Sequence, residues 1–141
     1  MSPVRAKVRG RILVIEDDHS ARLLLERTLT RAGHEVASAE DGEEGLALLE
    51  VRKFDGVLAD KNLPGLDGLS VLRRARERHP SIFTVLLTAF PSRESRAAAR
   101  ELRVDGYVAK PFGLREILVV CDQALQRSRA QAAARAEAGQ L

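Results

Sequence analysis

The sequence is poor in the residues that build cross-linked, metal-caged or membrane-spanning proteins. Its 141 residues include one cysteine, so neither an intrachain disulfide nor a thiolate zinc site can form. Tryptophan is absent and aromatic residues make up 4%, so aliphatic side chains must build the core. No run of about 18 apolar residues is present, and the run over 12–15 is too short for a signal peptide. We therefore predict a cytoplasmic protein that makes no membrane contact.

Positive charge is concentrated at the two ends of the chain. The formal net charge is +3, with four basic residues before the first apolar run and three arginines against one glutamate after residue 126. The body between them is net negative, so the sequence does not predict a nucleic-acid-binding face. We divide the chain into a basic N-terminal arm over 1–10, one domain over 11–126 and an Ala/Arg-rich helical tail or linker over 127–141.

Short aliphatic runs alternate with amphipathic helical patterns along the body of the chain. Five runs predict buried strands, near residues 12–15, 34–38, 56–59, 82–87 and 104–109. Apolar residues at helical spacing predict a helix after each strand. This alternation favours an α/β fold, a flavodoxin-like three-layer (α/β)5 arrangement with a doubly wound parallel sheet in the order 2-1-3-4-5. Its ligand site is expected at the carboxyl ends of the strands.

Charged and hydroxyl side chains stand where these strands end. Glu16 and Asp17 follow the first strand, Asp60 ends the third, and the fourth and fifth end in Thr88 and Lys110. Clustered carboxylates repel one another unless a cation neutralises them, and Mg²⁺ prefers such oxygen ligands. An ammonium and a hydroxyl beside them suit a phosphoryl group. We therefore predict that Asp60 is a nucleophile that attacks phosphorus with the help of Mg²⁺.

Four motifs, in this order, resemble the receiver domain of two-component response regulators. They are Ile12-Leu13-Val14-Ile15-Glu16-Asp17-Asp18, then Asp60-Lys61-Asn62-Leu63-Pro64-Gly65-Leu66-Asp67-Gly68, then Leu86-Leu87-Thr88-Ala89-Phe90, and finally Gly106-Tyr107-Val108-Ala109-Lys110-Pro111-Phe112. Each motif alone is moderate evidence, but four in the expected order across about residues 10–126 are strong evidence.

The resemblance implies a role for each residue at the strand ends. Asp60 would accept a phosphoryl group from a sensor histidine kinase or a histidine phosphotransfer protein. Asp17 and Asp60 would hold Mg²⁺, with Glu16 acting through water and Asn62 contributing its backbone carbonyl. In the same resemblance, the phosphoryl oxygens would be contacted by Thr88 and Lys110, and the peptide between Lys110 and Pro111 would be cis.

The resemblance also implies a switch and an output surface. Tyr107 would turn inward on activation, together with a movement of Thr88. The change would reach a face made of the fourth helix, fifth strand and fifth helix, where a downstream output protein, a fused output domain or a second copy would bind. Such a domain catalyses only its own phosphorylation and dephosphorylation and turns over no metabolite. The chain is then a stand-alone receiver or one excised from a longer regulator.

Other functions remain open beside this one. A phosphatase of the haloacid dehalogenase type also uses an aspartate nucleophile and Mg²⁺, but it needs a second aspartate where this chain has Asn62. A flavodoxin-like small-molecule binder would need a glycine-rich phosphate loop after the first strand, where Glu16 and Asp17 stand instead. An unphosphorylated scaffold, or pseudo-receiver, would leave Asp60 idle.

Several residues have simpler expected roles. Asp18 is expected to cap the first helix, and Cys121 lies on an apolar helical stripe as inert core. The histidines have no metal-ligand spacing and are expected at the surface; they are His19, His34 and His79. Lys61 replaces the apolar residue usual after the acceptor in the resembled family, so its ammonium either reaches the phosphoryl site or lies in solvent.

The remaining features are a cationic helix face and the tail. Four arginines at offsets of 3, 7 and 10 share one face of the fourth helix: Arg93, Arg96, Arg100 and Arg103. They form either a solvated face or a docking site for an acidic partner. The tail lacks a large apolar side chain before Leu141 and could continue the last helix to Ala138, with nothing in it demanding burial.

Overall fold

A computed structural model describes residues 8–139 of the chain, in which five parallel strands alternate with five helices. The elements are β1 (Arg11–Ile15), α1 (His19–Ala32), β2 (Glu35–Ala39), α2 (Gly42–Val51), β3 (Gly56–Asp60), α3 (Gly68–Arg78), β4 (Phe83–Thr88), α4 (Arg93–Leu102), β5 (Gly106–Ala109) and α5 (Leu114–Gly139). The sheet order is β2-β1-β3-β4-β5. The predicted fold and strand order are confirmed.

Alternation along each strand divides the core into two layers. From β1, Ile12 and Val14 point to a layer that contains Leu25 and Leu29 of α1 and the buried stripe of α5. Leu13 points to the opposite layer, which α2, α3 and α4 cover. Because successive strand residues face opposite sides, strands buried on both faces must be apolar throughout. This explains the uninterrupted aliphatic runs of the sequence.

Polar side chains begin four of the helices. Asp18, Asp41, Asp67 and Ser92 each accept a backbone N–H from the first turn of the helix that follows. An N-cap of this kind satisfies an amide that has no partner inside the helix. The prediction that Asp18 caps the first helix is confirmed.

The last helix continues without a break into the predicted tail. It comprises 26 residues, and Ser128 within it is buried, with its hydroxyl donating to the Ser81 carbonyl. Arg127 donates to the Asp105 carbonyl at 3.1 Å, and Arg135 to Ser81 Oγ at 2.8 Å. The expectation that nothing in the tail demands burial is therefore wrong, because its first turns pack on the loops that precede β4 and β5.

Not every histidine lies at the surface. His34 is 4% exposed and lies between Gly33, the left-handed C-cap of α1, and the first residue of β2. Its Nδ1 accepts the backbone N–H of Gly10 at 3.1 Å. The expectation of a surface position is wrong for this residue. Cys121 is fully buried, as predicted, and burial raises the pKa of its thiol to about 12.

The structure limits two other predictions. Over residues 8–139, no helix combines the length and the apolarity that a bilayer crossing requires. Most of the basic arm, residues 1–7, and the end of the tail, residues 140–141, lie outside the described residues. The division of the chain at residues 11 and 127 stays a prediction, and the described helix α5 runs across the second of these positions.

Candidate functional site at the carboxyl end of the sheet

Three carboxylates meet where β1 and β3 end. The parallel register pairs Ile15 with Ala59, so the residues that follow, Glu16 and Asp60, lie side by side. Together with Asp17, each offers one carboxylate oxygen, and these oxygens lie within 4.8 Å of one another. Glu16 is fully buried and Asp60 is 7% exposed, whereas Asp17 faces solvent. The structure thus brings together the acidic residues that the sequence predicts.

Lys110 crosses from the end of β5 to neutralise two of these carboxylates. Its Nζ lies 2.8 Å from Asp60 Oδ2 and also donates to Glu16 Oε1. The lysine side chain is 20% exposed, so solvent reaches the site from this side. The peptide between Lys110 and Pro111 is cis, as the resemblance implied.

The three charged groups differ in how readily they ionise. Burial, and then the neighbouring Asp60, raises the pKa of Glu16 to about 7, although Lys110 acts in the opposite direction. Burial also disfavours the charge on Asp60, but hydrogen bonds with Glu16, Lys110 and the Asn62 amide together hold its pKa below the usual value. Burial disfavours the Lys110 ammonium, yet both carboxylates raise its pKa overall. Of the two carboxylates, Asp60 is therefore the one that ionises more readily.

The loop after β3 fixes the orientation of Asp60. The Asn62 N–H donates to Asp60 Oδ1 at 3.1 Å, and the Lys61 N–H donates to the Leu87 carbonyl at 2.8 Å. Gly68, at the start of α3, packs so closely that a Cβ there would lie 2.2 Å from the Asp60 carbonyl oxygen. Only glycine fits this close approach of two backbones, which explains the Asp67-Gly68 pair in the sequence.

Thr88 and Tyr107 lie on the neighbouring strands. Thr88 is fully buried at the end of β4, and its Oγ1 accepts the Phe90 N–H at 3.1 Å. Tyr107 is half-buried on β5, with its hydroxyl 2.6 Å from Ser95 Oγ. Ser95 also closes a capping box with Ser92 at the start of α4. A hydrogen bond therefore joins Tyr107 to the first turn of α4.

Sequence reasoning missed two supporting residues. Arg22 of α1 donates to the carbonyl of Glu16 at 2.8 Å and to that of Asp17 at 3.4 Å, which holds the chain after β1 in place. Nothing in the spacing of Arg22 signals this contact. Ser95 could have been found, because Ser92 and Ser95 have the spacing of a capping box, although with serine rather than glutamate in the second position.

The acidic group suits a hard divalent cation. Glu16 Oε2 is buried and, within residues 8–139, has no hydrogen-bond partner. An unsatisfied buried carboxylate oxygen is costly unless a cation or a proton satisfies it. Three oxygen donors on a solvent-accessible rim match the preference of Mg²⁺ for a few carboxylates and several waters. The residues therefore fit a magnesium ion, and Asp17 supplies its solvent side.

Comparison with known proteins agrees with this geometry. The family model of the response regulator receiver domain matches residues 12–122. The DNA-binding transcriptional regulator NtrC of Klebsiella pneumoniae is 33% identical over 123 residues, which are 87% of this chain and 26% of NtrC. Response regulator MprA of Mycolicibacterium vanbaalenii is 38% identical over 118 residues, which are 84% of this chain and 51% of MprA.

Solved structures with the same fold include a CheY-like response regulator receiver domain from Methanospirillum hungatei. It superposes with a TM-score of 0.83 and 27% sequence identity, and the match covers 88% of this chain and 99% of that chain. NtrX of Brucella abortus, in complex with ADP, has a TM-score of 0.85 and 28% identity over 91% of this chain and 30% of NtrX.

The chain belongs to the response regulator receiver domain family of two-component systems. Receiver domains of this kind bind Mg²⁺ at an acidic pocket and interact with histidine kinases and output domains. The chain spans between about a quarter and a half of the length of the curated relatives it matches.

Proposed function

We propose that Asp60 accepts a phosphoryl group from the phosphohistidine of a sensor kinase or of a histidine phosphotransfer protein. The observation that carries this proposal is the convergence of Glu16, Asp17 and Lys110 on one ionised aspartate. In the reaction, a carboxylate oxygen of Asp60 bonds to phosphorus while the bond between phosphorus and the histidine nitrogen breaks. The electron pair of that bond returns to the imidazole, which takes up a proton.

The residues around Asp60 prepare it for this attack. Its lowered pKa keeps the carboxylate ionised at neutral pH, and the Asn62 N–H fixes the direction of Oδ1. Lys110 is already paired with Oδ2 and can follow the negative charge onto the phosphoryl oxygens. Glu16, Asp17, Asp60 and the backbone carbonyl of Asn62 would hold Mg²⁺, which neutralises phosphoryl charge when bound.

The phosphoryl group changes the molecule through its charge. It adds negative charge beside Thr88, whose hydroxyl can donate to a phosphoryl oxygen once it leaves its contact with the Phe90 amide. Tyr107 then turns inward and its contact with Ser95 breaks, which alters the face formed by α4, β5 and α5. This face binds an output protein, a fused output domain or a second copy of the chain. The chain turns over no metabolite, and its cytoplasmic location stays a prediction.

The test is to incubate the chain with Mg²⁺ and acetyl phosphate and to measure its intact mass. We expect one phosphoryl adduct that depends on Mg²⁺ and is absent from Asp60→Ala. The matched control is Asp55→Asn, because Asp55 is a carboxylate at the opposite end of the same strand region and should leave the adduct unchanged. An adduct that persists in Asp60→Ala would reject Asp60 as acceptor. Absence of any adduct with the unmodified sequence would favour the scaffold function instead.

A further inference from the structure

A cavity of about 850 Å³ opens at the amino end of the sheet, at the opposite end of β3 from Asp60. Its lining comes from five separate segments, near residues 9–11, 33–35, 53–55, 78–82 and 128–132. We call it the amino-end cavity. Its volume lies within the range of about 300–1,000 Å³ that small-molecule pockets occupy. The acidic site at the carboxyl end makes no use of it.

Part of the wall lies outside the segment that the receiver family model matches, residues 12–122. Six lining residues precede or follow that segment: Arg9, Gly10, Arg11, Ser128, Arg129 and Ala132. Hydrogen bonds hold this part of α5 in place, because Ser128 donates to the Ser81 carbonyl and Arg135 donates to Ser81 Oγ at 2.8 Å. The flanking segments of this particular chain therefore help to form the amino-end cavity.

Positive charge dominates the lining. Five cationic side chains line the cavity, namely Arg9, Arg11, Lys53, Arg78 and Arg129. Two carboxylates also line it, but both are already engaged by Arg11. Glu35 pairs with Arg11 Nε at 2.7 Å, and Asp55 Oδ2 accepts the Arg11 backbone N–H at 2.7 Å. The charge of the cavity therefore favours an anionic ligand.

Three of the cations form no ion pair within residues 8–139; they are Arg9, Lys53 and Arg129. Arg129 donates to the Arg9 carbonyl, which fixes its guanidinium beside the backbone of Arg9. The Arg9 side chain lies against Gly33, where a Cβ would be 3.2 Å from Arg9 Nε. Each guanidinium has five N–H donors, so both arginines retain donors for the oxygens of a phosphate.

An apolar wall accompanies these cations. It consists of Phe54, Pro80 and Ile82. The Phe54 side chain is half-buried, and the guanidinium carbon of Arg52 lies 5.5 Å from the centroid of its ring. A flat ring placed on this wall would remove apolar surface from water, while the charged end of the same ligand contacts the cations. Inorganic phosphate alone would leave the wall uncovered.

We propose that the amino-end cavity binds a nucleoside phosphate. Its phosphates contact Arg9, Lys53 and Arg129, and its base lies on the apolar wall beside Phe54. A phosphate suits the three unpaired cations better than the single carboxylates of an acidic peptide do, because its oxygens carry more charge and match the fork of arginine. The site is independent of the function proposed above, since it lies at the other end of the sheet from Asp60.

The experiment measures the fluorescence anisotropy of mant-ADP and mant-GDP with the full chain, in about 0.15 M salt. EDTA is present, so that no metal ion at the acidic residues around Asp60 recruits the phosphates. We expect saturable binding of at least one nucleotide, which the unlabelled nucleotide reverses. Mant-adenosine lacks the phosphates and pyrophosphate lacks the base, so each should bind at least about tenfold more weakly.

Two pairs of variants locate the site. Arg9→Gln/Lys53→Gln should weaken nucleotide binding by roughly tenfold. Its control, Arg73→Gln/Arg74→Gln, removes the same charge at exposed positions of α3 and should alter affinity by less than about twofold.

The second pair leaves the charge unchanged. Ala132→Trp fills the cavity from an exposed position of α5 and should also weaken binding by roughly tenfold. Ala134→Trp places the same side chain at an exposed position of α5 outside the lining and should leave binding unchanged.

Several outcomes would overturn the proposal. Absence of saturable binding of both nucleotides would mean that the cavity is not a nucleotide site. Equal weakening by the two charge variants would mean that the nucleotide senses only net charge, and full binding by Ala132→Trp would place it elsewhere. Competition by pyrophosphate as strong as that by the nucleotide would reduce the ligand to phosphate. Tighter binding of a glutamate-rich peptide that displaces the nucleotide would assign the cavity to an acidic protein.

Discussion

The two ends of the sheet use the same residue type in opposite ways. At the amino end, Asp55 stands just before β3 and accepts the backbone N–H of Arg11 in β1 at 2.7 Å. Asp105 stands just before β5 and accepts the backbone N–H of Thr84 in β4 at 2.8 Å. At the carboxyl end, Glu16 and Asp60 crowd each other and share one lysine. The first pair of carboxylates accepts backbone N–H groups of the strands. In the second pair, one buried Glu16 oxygen has no hydrogen-bond partner among the residues that the structure describes.

This difference separates structural from chemical carboxylates within one sheet. At the amino end, each carboxylate satisfies a backbone N–H of a neighbouring strand and stands apart from the other, so its role is structural. A cluster held together by one ammonium is incompletely satisfied, so it retains affinity for a metal ion or a phosphoryl group. Three predictions test this contrast, beginning with the largest expected effect.

Removing the shared cation should destabilise the carboxyl end most. We expect Lys110→Ala to lower the free energy of unfolding by about 2 kcal/mol, less than for a fully buried pair because Lys110 is partly exposed. The variant should lose more stability at high than at low pH. The pKa of Glu16 is raised in the folded state, so folding favours the protonated form of this residue. The stability that protonated Glu16 contributes is complete below its ordinary pKa of 4.5 and is lost as the pH rises through about 7.

Urea unfolding of Lys110→Ala near pH 5 and pH 8, with and without Mg²⁺, measures this effect. Mg²⁺ should restore part of the stability if it binds the freed carboxylates. The control is Lys61→Ala, a lysine next to Asp60 along the chain whose loss should cost less than about 0.5 kcal/mol. Equal losses in the two variants would mean that Lys110 is not the cation that the cluster depends on.

At the amino end, Asp105 should matter for stability and not for phosphorylation. Asp105→Ala leaves the buried Thr84 N–H without its acceptor and removes the ion pair with Arg76, which together should cost roughly 1–2 kcal/mol. Asp105→Asn keeps an acceptor at the same place and should cost less. Thermal unfolding and the acetyl phosphate adduct are measured side by side. A loss of adduct in Asp105→Ala would break the contrast between the two ends.

The smallest expected effect comes from His34, also at the amino end. Burial lowers the pKa of His34, and the charges of Asp122, Arg129 and Asp55 adjust it further. The folded state therefore binds the proton less readily than the unfolded chain. Stability is complete above the ordinary pKa of 6.5 and falls as the pH decreases below it.

We expect His34→Gln to flatten the dependence of stability on pH between about 5 and 7, by less than about 1 kcal/mol across this range. The measurement is the difference in the free energy of unfolding between the two pH values, taken within each variant. A substitution that changes stability equally at both pH values therefore does not affect it. His19→Gln, at an exposed histidine of α1, should retain the full dependence. A slope that is unchanged in His34→Gln would assign the pH dependence to another group.

The sequence was most informative where one local pattern controls one feature. The aliphatic runs predicted all five strands, Asp18 was recognised as a helix cap, and the strand ends predicted the acidic group, because parallel strands bring their carboxyl ends to one side. It was least informative where distant segments meet. The burial of His34 depends on a contact with Gly10, and that of Ser128 on the loop before β4. Spacing along the chain carries no signal for such contacts.

By itself, the amino-acid sequence determined the fold, the strand order and the identities of the residues around Asp60, since periodicity and strand-end chemistry are local properties. Only the tertiary structure decided which groups pair and which remain unsatisfied. It joined Lys110 to both Glu16 and Asp60 and placed Arg96 over the ring of Tyr107. It also left one Glu16 oxygen without a partner within the described range 8–139. These contacts join residues far apart in the chain or on different elements, so they exist only after the strands have aligned and the helices have packed against them.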